Sequence, residues 1–177
     1  MFRKFFYRIQ KRREQKEIVS ACGGKRPEGL VTFGKVSARW GIHLKIGKNV
    51  SLGEDVVFYG EGTIVLGDDV FINHGTMIYA YKNSTITIGN GTAIAPYCFI
   101  INADHLIKKD LPIRSQGFAI DDVTIGSDCW LGAHVCVLKG SSIRDGAVIG
   151  AGAVVKGLIP ENAVAVGVPA KVIKQRE

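Results

Sequence analysis

Between Ile125 and Gly157 the chain reads IGSDCWLGAHVCVLKGSSIRDGAVIGAGAVVKG, and an aliphatic residue returns every six positions: Ile125, Leu131, Val137, Ile143, Ile149 and Val155. An amphipathic helix would repeat its apolar residues at 3.6 and a half-buried strand at 2. Six is compatible with strands, yet too regular for a single one. Gly126, Gly132 and Gly150 directly follow the aliphatic position, and Cys129, Val135, Ser141, Ala147 and Ala153 stand four after it. A hexapeptide repeat sustained in this way predicts an all-β fold, a parallel β-helix built of one short strand and one corner per unit. Three units close one triangular coil, with the aliphatic residue pointing inward and the small residues easing each corner.

The beat extends upstream through Ile46, Leu52 and Phe58, then Leu66, Ile72 and Ile78, then Ile88, Ile94 and Ile100. Extra residues at "GEG" (60–62) and "YKNS" (81–84) can be absorbed by corner loops. The beat stops after Ile100 and resumes at Ile125, leaving residues 102–124 as a long excursion. Loops of that length in a compact domain are functional or disordered. After Val155 the chain is expected to leave the coil. Three parts result: an N-terminal amphipathic helix and linker at 1–30, the repeat domain at 31–157, and a tail at 158–177.

The arm changes the picture in one respect. Phe2, Phe5, Phe6 and Ile9 share one helical face, with basic residues on the other. Residues 1–17 carry seven Lys and Arg against Glu14 and Glu17, so the arm accounts for +5 of the net +7. Such a helix could cap the coil or make weak contact with an anionic membrane. The remaining domain is nearly neutral, which argues against a nucleic-acid partner. No apolar run of about 20 residues and no leader pattern is seen, so the expected address is the cytoplasm, with a peripheral place on the inner membrane face open. Cys22, Cys98, Cys129 and Cys136 have no metal-ligand spacing and read as structural thiols; no metal is expected.

Of the four histidines, His43 precedes the first clear unit and His74 and His134 fall on variable, outward positions. Only His105, in "NADH", lies in the excursion, where a loop imidazole is either solvated or a general base. Trp130 stands directly before the aliphatic Leu131 and off the inward phase, so it reads as a ligand wall or a subunit contact.

The hexapeptide units, "NADH", "DDVTIGSDCWLGAHV" and the exit "GAVIGAGAVVKGLIPENAVAVGVPAKVIK" together resemble the hexapeptide-repeat acyltransferases over about residues 40–175. They resemble in particular the galactoside, maltose and nodulation-factor sugar O-acetyltransferases and those that decorate surface polysaccharides. The resemblance implies a left-handed coil, a homotrimer with sites between subunits, acetyl-CoA as donor and a sugar or glycan as acceptor. It also implies His105 as the base and the Ala133 amide, in the "WLGA" turn with Gly132 and Trp130, as the oxyanion donor. Coenzyme A contacts would come from Ala151, Lys156, Lys171 and Lys174, and an acceptor contact from Asn73. N-acetylation of an amino sugar is the alternative within enzymes. A silent or zinc-dependent coil is the alternative outside acyl transfer, and it has poor histidine material here.

Overall fold

The computed structural model describes residues 16–177; the aromatic face of Phe2, Phe5, Phe6 and Ile9, and the membrane contact read for residues 1–17, rest on residues 1–15 outside that range. Short parallel strands stack into three sheets. The first face holds seven parallel strands from Val31–Thr32 to Ala163–Val166, the second six from Val36–Arg39 to Val154–Val155, and the third six from His43–Ile46 to Leu158–Ile159. Neighbours within a face are one coil apart, as in the series Phe71, Ala93, Trp130 and Val148. The chain is the parallel β-helix that the six-residue beat predicts.

Every beat residue from Leu52 to Val155 is buried, and Ile46 is half-buried. The small positions between them are buried too, and they do more than make room. The Thr76 hydroxyl donates to the Ala95 carbonyl and accepts from the Cys98 N–H; the Thr92 hydroxyl does the same with the Gly126 carbonyl and the Cys129 N–H. The thiols of Cys98 and Cys129 donate to the carbonyls of Gly132 and Arg144, 3.2 Å away in each case. A corner buried against the core thereby keeps its backbone polar groups paired.

The coil is longer than the aliphatic beat at both ends. Thr32, Ala38 and Ile46 stand in register with Leu52, Phe58 and Leu66, so two further strands of the coil precede Ile46, where the aliphatic beat begins. Thr and Ala carry too little apolar signal to mark them. At the other end the chain does not leave after Val155: Leu158–Ile159 and Ala163–Val166 continue the third and first faces, with Ile159, Ala163 and Ala165 buried. Lys171–Gln175 then folds back antiparallel on Ala163–Val166. Arg176 pins it by donating to the Asp128 carboxylate at 3.0 Å and to the Gly146 carbonyl at 2.8 Å. The open end is covered as well, since residues 16–21 are helical and Ile18 is buried against the core beside Leu30 and Val36. Both ends thus cover strands that would otherwise offer unpaired edges or an open core.

Candidate active site

Corners between the second and third faces absorb every departure from the six-residue beat: Trp40–Gly41, 60–62, 81–84 and the excursion. The excursion is an ordered hairpin. Ala103–His105 pairs antiparallel with Phe118–Ile120, and His105 stands opposite Phe118 with ring centroids 4.4 Å apart. Asn102 seats the hairpin. It is fully buried, its carboxamide accepts from the Tyr81 N–H at 2.8 Å and donates to the Ser84 hydroxyl at 2.9 Å, and its carbonyl accepts from the Asp121 N–H. The tip is organised by Gln116, which accepts from the Lys108 N–H and donates to the carbonyls of Lys108 and Leu111. Asp104, next to His105, forms a 3.8 Å ion pair with Lys139. Asn102, Gln116 and Lys139 escape sequence reasoning because their partners lie in other coils or across the hairpin; the buried Asn at the mouth of a long insertion was the one available signal.

A second group gathers at the corner between the first and second faces. The Ala133 N–H has no protein partner among the described residues, whereas the flanking N–H groups of Gly132 and His134 donate to the carbonyls of Ile149 and Pro96. Pro96 occupies the equivalent place one coil earlier, where no N–H exists to satisfy. Ala151 occupies it one coil later. Gly132 is required by space, since a Cβ there would come within 2.6 Å of the Ala151 nitrogen. Trp130 is 56% exposed on the adjoining first face, with Ala93 separating it from the exposed Phe71.

Two coils below Ala133, Asn73 lines an open groove of about 570 Å³ with Phe33, Glu54, His74 and Tyr97. The Asn73 carboxamide oxygen accepts from the His74 N–H at 2.8 Å and lies 2.9 Å from the His74 Nδ1. Above it Tyr97 and His134 stack in the same register, centroids 5.3 Å apart, both in the left-handed backbone region at φ 59°. Other coils put Asp55, Gly75 and Gly152 at that step. Two bulky rings in a conformation that disfavours them mark this corner as specialised.

The structure divides the sequence candidates. Ala133, Gly132, Ala151 and Asn73 share the first corner, with Lys171 on the strand that folds back beside it; Lys174 lies further along that strand, on the first face. His105 belongs to the corner at the other edge of the second face. Lys156 follows Val154–Val155 at that second corner, one coil beyond the Lys139 segment. Within one protomer the histidine and the free amide are therefore separated by the width of a sheet. Among the described residues no three His, Cys, Asp or Glu side chains converge on a metal position.

The four cysteines are free, and burial raises all their thiol pKa values, with Cys98 pushed up to about 11. A thiol whose folded value is raised favours the protonated fold. Its contribution is complete below the ordinary thiol value of 9.0 and is lost as pH rises through about 11. The melting temperature is expected to fall between those pH values, less steeply in Cys98→Ser. A thiol reagent should label Cys22 and Cys136 slowly in the native protein and Cys98 and Cys129 only on unfolding.

Residues 122–157 match the family described as bacterial transferase hexapeptide (six repeats). A probable acetyltransferase of Mycobacterium tuberculosis is 40% identical over 136 residues, 76% of this chain and 45% of the relative. The putative colanic acid biosynthesis acetyltransferase WcaF of Escherichia coli is 34% identical over 134 residues, 75% of this chain and 69% of the relative. Among solved structures, galactoside acetyltransferase in complex with coenzyme A has a TM-score of 0.55 at 27% identity, covering 84% of this chain and 66% of that one. The N-acyltransferase AntD of Bacillus cereus, bound to dTDP and 3-hydroxybutyryl-CoA, has a TM-score of 0.75 at 20% identity, covering 92% and 88%, and shares the fold. The stacked parallel coils with a long hairpin on one edge define a hexapeptide-repeat solenoid. The chain belongs to the bacterial hexapeptide-repeat transferases. It spans about half the length of the first of these relatives.

Proposed function

We propose that the protein transfers an acetyl group from acetyl-CoA to a sugar hydroxyl of a surface-polysaccharide precursor, at sites shared between subunits of a homotrimer. The observation that carries this reading is the separation of His105 from the unpaired Ala133 amide on two corners of one protomer. The rotation that relates neighbouring copies in a trimer can bring one copy's first corner to the other's second; no rearrangement of one rigid coil can. The hairpin tip supports a partner, with Ile107, Leu111 and Ile113 more than half exposed. So does the exposed Trp130 beside Ala133. WcaF's part in colanic acid biosynthesis favours a polysaccharide acceptor.

A ring nitrogen of His105 takes the proton of the acceptor hydroxyl as its oxygen attacks the thioester carbonyl. The Ala133 N–H donates to the oxyanion, and an amide serves this role whatever its side chain. The carbon–sulfur bond breaks, and the thiolate leaves with the proton held by His105. Trp130 walls the donor side, and Lys171 and Lys174 face the phosphates of coenzyme A.

Two variants test the shared site. His105→Ala removes the base, and Ala133→Pro removes the amide at a position whose counterpart is already Pro96. With an acceptor identified by its gain of one acetyl group in mass spectrometry, each variant alone should be inactive, and co-refolding the two should restore about a quarter of wild-type turnover, the share of interfaces with both groups intact. A mixture as inactive as its parents, in particles that light scattering shows to be mixed trimers, would refute the shared site. Alkali-labile product identifies an ester and alkali-stable product an amide.

A further inference from the structure

A continuous line of aromatic rings climbs the edge between the second and third faces and ends on the histidine hairpin. Trp40 and Tyr59 have centroids 4.5 Å apart, Tyr59 and Tyr79 4.8 Å, Tyr79 and Tyr81 6.2 Å, Tyr81 and Phe118 4.6 Å, and Phe118 and His105 4.4 Å. Tyr59 and Tyr79 are direct register partners on adjacent coils. Trp40 is 65% exposed, Phe118 39%, and the three tyrosines are half-buried. Packing in the core explains none of these rings.

Trp40 adds an independent sign. Its backbone sits in the left-handed region at φ 63°, which an indole occupies at a cost of about 1–2 kcal/mol. Gly41 follows at φ 76°. Asparagine or glycine would make the same turn at lower cost, so an exposed tryptophan there gains its place from something it binds.

The surroundings select the ligand. Along the ladder stand exposed Arg39, the Glu61–Lys82 pair at 3.8 Å and the Asp104–Lys139 pair at 3.8 Å. A second copy of the chain would desolvate those charges, and it has a better surface in the mid-strand row Val57, Met77, Phe99, Cys136 and Val154 of the second face. A lipid tail brings nothing for the charges to hold. A nucleic acid needs a net basic groove, and here carboxylates interleave with the basic groups. A chain of pyranose rings presents C–H faces to aromatic planes and hydroxyls to flanking charged groups, which is the pattern found.

We infer that this ladder is a binding track for a linear glycan, which it feeds toward His105, so that the acceptor is an oligosaccharide or polysaccharide chain and not a single sugar. The inference rests on the acyl-transfer reading of His105. Rungs rise by about one strand spacing, roughly 4.8 Å, per coil. Several rings in succession make a strip longer than one sugar, and affinity must therefore grow with chain length.

The test uses gluco-, galacto-, N-acetylglucosamine- and glucuronate-type oligosaccharides of increasing length. Trp40 emission is read in a Trp130→Phe background, which leaves Trp40 as the sole tryptophan. At least one series should shift that emission with affinity rising along the series, and Tyr59→Ala or Tyr79→Ala should weaken the longest member about tenfold. In acetyl transfer, measured with Trp130 in place, Tyr59→Ala or Tyr79→Ala should raise KM for long acceptors by a similar factor and leave kcat, and kcat/KM on a single sugar, at the level of the unsubstituted protein. No binding in any series, affinity independent of length, or a changed particle mass in the tyrosine variants would each overturn the track, the last by making the ladder a subunit contact. Transfer to single sugars with no gain from length removes the track and spares the acyltransferase. Length-dependent binding without any acetyl transfer does the reverse.

Discussion

His105→Ala is expected to lower kcat/KM for acetyl transfer by about 10²–10⁴-fold, with no change in melting temperature or particle size. The imidazole is exposed on the hairpin, its ring lies against Phe118, and the hydrogen bonds that seat the hairpin base run through Asn102. Removing it takes away a proton acceptor and almost no packing. Steady-state kinetics beside thermal melting checks both halves, and unchanged turnover on a working acceptor would remove His105 from the mechanism.

Asn102→Ala is expected to act through structure first. The substitution leaves the Tyr81 N–H and the Ser84 hydroxyl without the partner that Asn102 supplied, in a place where the carboxamide itself is fully buried. The Ser84 hydroxyl keeps its donation to the Tyr81 carbonyl, so the Tyr81 N–H is the group left unpaired, at a cost of about 1–3 kcal/mol that lowers the melting temperature of a chain of this size by several degrees. The hairpin loses its seat, so kcat should fall more than the stability loss accounts for. Asn102→Asp keeps the acceptor facing the Tyr81 N–H and loses the donation to Ser84, and should fall between the two. Equal kinetics in wild type and Asn102→Ala, despite lower stability, would show that the seat does not position His105.

Much of this was open to reading in the linear chain. A solenoid coil contacts only its neighbours, so its local sequence rule is also its tertiary rule, and the inward positions from Leu52 to Val155 could be named from spacing alone. The rule fails where inward residues are small or the step changes. Thr32 and Ala38 at the start and Ala163 and Ala165 at the end belong to the coil without announcing it, because burial between stacked coils accepts any residue that fits.

The site was legible only in part. His105 was found because it lies in the one long departure from the beat, and Ala133 because the "WLGA" turn resembles a known pattern. That the Ala133 N–H is unpaired among the described residues, while those of Gly132 and His134 are not, depends on which carbonyls the coils above and below present. Asn102 could be seen only as the residue before "ADH", since its partners Tyr81 and Ser84 lie about twenty positions away.

By itself the sequence determined the repeat, its inward face, the excursion and the histidine within it, since each is a local property of spacing. Tertiary structure decided what stacking decides. Insertions at 40–41, 60–62, 81–84 and 102–122 look unrelated along the chain, and they fall on one edge because each follows the second-face strand of its own coil. That stacking turns five scattered aromatic residues into a ladder leading to His105, and it sets His105 and Ala133 at opposite edges of a sheet. Distances across coils are fixed by register and the roughly 4.8 Å between strands, quantities that appear only once the chain has wound on itself.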